Sequence, residues 1–213
     1  MQDVLKTLWE IRQGCETTTK ELSVKYAMAD EEVPLSALHI AFNHATICLE
    51  LTSHYFARWE RTHALKEAVQ RAAVEQSAQR VNEATKSLFL FSLSAFEYGA
   101  RTIARAHPEV LELDFDQRQY LIGIMRASEQ KELIDWRTYT AWRALSDFRN
   151  VIVHNNGIGE RNIEVPLPDG PVIRTTRDEP IEGDLLTFPD TVRWAVGAYA
   201  GWCDAFLSAR TSV

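Results

Sequence analysis

Apolar residues recur every three or four positions over most of the chain, the spacing expected of amphipathic helices. Val4, Leu8 and Ile11 share one face of a short first helix, and Gly14 reads as its stop. Residues 17–29 read as a second, weaker helix, so residues 1–30 are expected to form an N-terminal helical arm. Pro34 suits the first position of a helix, where its missing N–H costs nothing. From there to about Arg61 the chain is rich in Ala, Leu and Ile and contains no further Gly or Pro. Residues 62–106 carry one Gly and no Pro, which predicts long antiparallel helices with a break near Arg61 or Ser77. The run SLFLFSLSAFEYGARTIARA (87–106) is the most apolar part and is expected at the centre of the core, ended by Pro108. Asp114 or Asp116 is placed to cap a helix reaching about Met125. The next helix spans about Lys131 to His154, with Trp142, Leu145, Phe148 and Ile152 as its apolar stripe.

The pattern then changes. NIEVPLPDGPVIRTT (162–176) holds two β-prone runs around Pro168-Asp169-Gly170, the signature of a hairpin. Pro189 opens a last amphipathic helix through about Ala209, with Val192, Val196, Tyr199 and Phe206 on its apolar side. The expected fold is therefore all-α: one antiparallel helical bundle over residues 1–213, with a small β-hairpin insertion (160–185) before the C-terminal helix.

Composition narrows the functional classes. Of 213 residues, 46% are hydrophobic and 25% charged, within the range of globular domains, and the net charge is −7. That acidic balance argues against broad nonspecific binding to nucleic acid, which runs on many Lys and Arg contacts, but leaves room for one local cationic site. Cys15, Cys48 and Cys203 are widely spaced and odd in number, so neither a disulfide framework nor a zinc site is expected; a reducing cytoplasm fits. No signal-peptide pattern and no membrane span is read, and no cofactor is expected, because no Gly-rich phosphate loop appears. His39, His44, His54, His63 and His107 show no metal-ligand spacing, so no metal is expected either. The Trp residues are read mainly as core, with a subset near Trp136 and Trp142 able to line a groove.

The most informative stretch is RNVIVHNNG (149–157). An Arg and a His lie five positions apart, separated by Asn150 and an apolar filling, and Asn155, Asn156 and Gly157 form a helix stop. Guanidinium and imidazole together suit a phosphodiester: Arg holds phosphate oxygens bidentately, and His exchanges protons near neutral pH. For the bare pair, the plainer reading is a surface Arg and a His that caps the last helix carbonyls. Arg149 and His154 lie about 140° apart around an ideal helix, while Asn150 and His154 share a face. Two copies related by a two-fold axis would bring both groups to one phosphate, which favours a dimeric site. Glu97 is a polar group in an apolar setting and needs a partner if buried. Arg101, four residues on, would give a structural pair; Arg149 is the other candidate and would be oriented by the contact.

The string RNVIVHNNG resembles the signature of HEPN domains (higher eukaryotes and prokaryotes nucleotide-binding), an Arg and a His separated by four to six residues with a polar residue usually directly after the Arg. FSLSAFEYGAR (91–101) resembles an early-helix segment of the same family in which a Glu sits among apolar residues. The resemblance implies an α-helical bundle, commonly dimeric with the motif at the interface, and metal-independent endoribonuclease activity, often in toxins or antiviral defence. It implies Arg149 and His154 as catalytic residues, with Asn150, Glu97 and Asn155 in support. RNA, a second copy of the chain and, for a toxin, an antitoxin are the implied partners. The alternative is a non-catalytic HEPN-like module that binds RNA, a nucleotide or a protein, with Arg149 as anion anchor; the negative net charge favours it.

Overall fold

The computed structural model describes residues 1–29, 32–61, 67–114, 119–154, 157–181 and 184–210. These form helices α1 (Gln2–Tyr26), α2 (Val33–Arg61), α3 (Glu67–Ala106), α4 (Pro108–Leu111), α5 (Leu121–Gln130) and α6 (Trp136–His154), then strands β1 (Ile163–Pro166) and β2 (Val172–Thr175), and finally α7 (Thr187–Arg210). The all-α bundle with one small hairpin is thus the observed architecture.

The four long helices are α1, α2, α3 and α7. His44 stacks on Phe91 at 4.3 Å and the Cys48 thiol donates to the Ala84 carbonyl at 3.2 Å, so α2 and α3 run antiparallel. The last helix behaves differently. Arg193 bonds Glu10 at 2.6 Å and Lys25 bonds Asp204 at 2.5 Å, so α7 runs parallel to α1. Phe89 meets Phe188 at 5.7 Å and Phe96 stacks on Tyr199 at 4.6 Å, so α7 also runs parallel to α3. Within the all-α bundle, the long antiparallel pair is α2 and α3, and α7 joins it parallel to α1 and α3. The α5–α6–hairpin excursion returns the chain from the end of α3 to the level of Phe89, about midway along it.

Two expectations for the N-terminal region also change. Gly14 does not stop the first helix, because Ile11, Cys15, Thr19 and Leu22 continue the buried stripe through it. Residues 2–26 form one helix, in place of two, packed against α2 and α7. The helix ends instead at Ala27, which takes the left-handed conformation and closes it with a bond to the Ser23 carbonyl. Ser77 is buried within an unbroken α3; the alternative break near Arg61 agrees with the end of α2, and residues 62–66 lie outside the described set.

The core is aromatic. Trp142, Trp202, Tyr199, Phe89, Phe96, Phe148 and Phe206 are all essentially buried, and each contributes roughly 1.5–3 kcal/mol of hydrophobic stabilisation. The Trp202 indole N–H donates to the Ser128 hydroxyl at 2.8 Å, and that hydroxyl donates to the Ile124 carbonyl at 2.8 Å, which ties α5 to α7. Gly99 lies where α3 crosses α2 and α7; a Cβ there would collide with the Tyr199 hydroxyl and crowd Ala37.

The hairpin forms as expected, pairing Ile163 with Thr175 and Pro166 with Val172. Asp169 supplies the positive φ its turn needs, and the Gly170 N–H donates to the Leu167 carbonyl at 3.0 Å. Ile173 and Leu167 face inward, seating the hairpin beside α6. Among the described residues, no helix is long and apolar enough to cross a membrane.

Candidate active site

The site is built on the last turns of α6. That helix begins five residues later than the periodicity suggested, because Asp135 caps it: its carboxylate accepts the Thr138 N–H at 2.7 Å. This bond holds the Asp135 carboxyl below its ordinary range. The next cap differs too. Asp114 does not open α5, which starts at Leu121 and continues to Gln130, and Asp116 lies outside the described residues.

The stripe Trp142, Leu145, Phe148 and Ile152 is buried as expected. Phe148 meets Phe89 edge-on at 5.5 Å and Trp142 meets Phe96 at 6.4 Å, so the rotation of α6 against α3 is fixed by aromatic packing. With that face turned inward, Arg149 reaches toward α3, while Asn150, Val153 and His154 stand on the outer surface.

On α3, Arg149 meets two partners. Its Nη1 donates to Glu97 Oε2 at 2.8 Å and its Nη2 donates to Ser94 Oγ at 3.2 Å. Glu97 therefore pairs with Arg149 and not with Arg101, which has no ion pair among the described residues. The side chains of Arg149 and Glu97 are 32% and 23% exposed, so the pair is sheltered but still open to solvent. Two of the guanidinium's five donors are engaged, one on each terminal nitrogen.

Glu97, Arg149, Asn150 and His154 line one groove of about 500 Å³, with Tyr120 and Val153 among its apolar walls. Four of the five candidate residues thus come together within one chain, although the five-residue step sets Arg149 and His154 on different sides of the helix. The fifth, Asn155, lies outside the described residues, as does Asn156. Ser94 is a partner of Arg149 that the sequence did not single out. The available signal was its position three residues before Glu97, which places it on the same face of the helix.

Chemically, the groove offers a fixed cation, an amide and an imidazole around a space that a phosphodiester can enter. Among the described residues, no group of three His, Cys, Asp or Glu side chains is arranged to hold a metal ion. His44 is engaged with Phe91, and its burial lowers its pKa. His107 sits between Glu109 and Arg210, and His63 lies outside the described residues. Of the two Trp singled out for a groove, Trp142 is wholly buried, whereas Trp136 is exposed. The three cysteines are free and buried. No protein-family model matches the chain, and no curated protein or solved structure matches it either.

Proposed function

We propose that the protein is a metal-independent endoribonuclease of HEPN type, acting as a homodimer, with a role as a toxin or in defence. The observation that carries this reading is the convergence of Arg149, Asn150, His154 and Glu97 on one groove, with the guanidinium already held by Glu97 and Ser94. Preorganised donors aimed at developing charge are the largest single source of rate in many enzymes.

In the reaction, the 2′-hydroxyl of RNA attacks the adjacent phosphorus, the P–O5′ bond breaks, and a 2′,3′-cyclic phosphate and a 5′-hydroxyl are left. Only RNA supplies that nucleophile. His154 takes the 2′-hydroxyl proton or gives one to the departing 5′-oxygen. Arg149 neutralises the extra charge on the phosphorane-like transition state, and Asn150 positions the phosphate or His154. Asn155, next to the imidazole in sequence, is assigned to the same supporting role. Glu97 acts through Arg149 and is a positioning residue.

A second copy has support from the surface beside the ion pair. Tyr98 is 63% exposed on the side of α3 that carries Ser94, and Phe91, covered on one face by His44, is still 52% exposed, a partly open apolar strip suited to an isologous interface. The binding-module reading is favoured by one observation: the net charge of −7. It predicts saturable RNA or nucleotide binding without cleavage.

Incubating the wild type, Arg149→Ala and His154→Ala with mixed cellular RNA in EDTA separates these readings. Cleavage by the wild type alone supports the nuclease, whereas cleavage that survives His154→Ala excludes it. For the toxin role, expression should arrest growth of the host and Arg149→Ala should relieve the arrest; an unimpaired culture removes that role.

A further inference from the structure

Trp136, Arg143 and Asn150 are seven residues apart, and seven residues return an α-helix to nearly the same side. All three are exposed, and His154 continues their line. This edge of α6 runs about 21 Å from Trp136 to Asn150, at about 1.5 Å per residue. Its C-terminal end enters the groove of Arg149 and His154. Its N-terminal end enters a second cavity of about 450 Å³, walled by Trp136, Arg137 and Thr140 of α6 and by Val165, Pro166 and Leu167 of the hairpin.

Two features distinguish this second cavity from ordinary surface. Trp136, at 62% exposure, is the most exposed Trp of the chain and borders an apolar hollow built by a separate element. Between the two cavities stands Arg143, which has no ion-pair partner among the described residues. The acids nearby are already occupied: Asp147 pairs with Arg161, and Glu164 pairs with Arg174 at 3.1 Å. A chain of net charge −7 therefore carries one guanidinium unpaired among the described residues, Arg143, between an aromatic platform and the candidate active site.

We infer that this edge of α6 is the track for a single-stranded RNA, with one base stacked on Trp136 in the hairpin-walled cavity, a phosphate on Arg143 and the scissile phosphate in the groove. The inference rests on the ribonuclease reading of that groove and adds a specificity site to it. Aromatic platforms alternating with cations suit single strands, because any unstacked base offers a π-face and every linkage offers a charge. A base in a duplex is stacked between its neighbours and cannot enter a pocket walled by prolines. The hairpin thereby acquires a role as one wall of a base pocket.

The test uses full-length His154→Ala protein, which binds without cutting, and fluorescence anisotropy with two labelled probes: an adenylate dinucleotide and an oligoadenylate of about a dozen nucleotides. Adding Trp136→Ala should weaken the long probe by about tenfold, from the usual worth of one base–aromatic stack. Trp136→Phe should restore most of the loss. Arg143→Ala should weaken the long probe severalfold and lower its salt dependence. Neither change should affect the dinucleotide, whereas Arg149→Ala should weaken both probes. Long-probe binding that needs Arg149 but ignores Trp136 would overturn the track and leave the ribonuclease reading standing. Failure of both probes to bind would overturn both.

Discussion

The interior around α7 and the groove at the end of α6 use similar polar chemistry in opposite ways. In the interior, the Trp202 N–H meets the Ser128 hydroxyl, which in turn meets the Ile124 carbonyl, and the chain of bonds closes within buried structure. In the groove, Arg149 meets Glu97 and Ser94, yet the ion pair remains partly exposed and guanidinium donors are left over. The first arrangement satisfies the indole and the hydroxyl and fixes how α5 and α7 pack. The second fixes orientation and leaves capacity for a ligand. The two are linked, because the aromatic packing of Trp142 and Phe148 against α3 sets the rotation of α6 and hence where Arg149 points.

The contrast can be broken from the groove side first. His154→Ala should lower RNA cleavage by about 10²–10⁴-fold, the usual worth of a general acid or base, with no change in melting temperature, since the side chain is exposed. Arg149→Lys should not rescue the loss caused by Arg149→Ala, because a point charge cannot reproduce the two-pronged contact with Glu97 and Ser94. A melting temperature that falls with His154→Ala while other properties hold would mark the residue as a structural cap.

Breaking the interior should have the reverse signature. Trp202→Ala should cost about 3–5 kcal/mol in chemical denaturation, through lost burial and the lost hydrogen bond to Ser128. Cleavage per folded molecule should be retained at temperatures where the variant is folded. A smaller effect is expected where the two regions meet. Glu97→Gln keeps the shape but removes the charge that orients Arg149, so kcat should fall by about tenfold with a stability change of about 1 kcal/mol or less. An unchanged kcat would remove Glu97 from the positioning role.

A separate effect, confined to alkaline pH, concerns the thiols. Burial pushes Cys203 and Cys15 up to about 12 and Cys48 up to about 11, against about 8.5 for a free thiol. A raised folded-state pKa means that the associated stability is fully present below the unfolded value and is lost as pH rises toward the folded one. Melting temperature should therefore decline from about pH 9 upward, and Cys203→Ala should flatten part of that decline. An identical profile in Cys203→Ala would show that another group controls the alkaline limb.

The sequence was legible where the signal is local. Helical period, the Pro-Asp-Gly turn and the buried stripe of α6 all follow from residues close together in the chain. It was less legible where tertiary packing decides. Gly14 looks like a stop until Cys15 and Leu22 are seen to carry the stripe onward. Trp136 and Trp142 lie six residues apart on one helix; the stripe puts Trp142 inside, while the exposure of Trp136 is decided by how the hairpin and helices pack around it. The site was half legible. Arg101 and Arg149 were both candidate partners for Glu97, and only the folded chain selects Arg149, 52 positions away. The parallel course of α7 could not be read from its own residues, because it follows from the return path through α5, α6 and the hairpin.

The most direct measurement of the central claim is to map the ends left on a defined RNA incubated with the wild type in EDTA, beside the same strand carrying a single 2′-deoxy substitution at the cleaved position. A 2′,3′-cyclic phosphate and a 5′-hydroxyl at that linkage, with cleavage there lost in the deoxy strand, is the result expected if Arg149 and His154 direct attack by the 2′-hydroxyl. Cleavage of the deoxy strand at the same position, or an intact RNA after prolonged incubation, would contradict it.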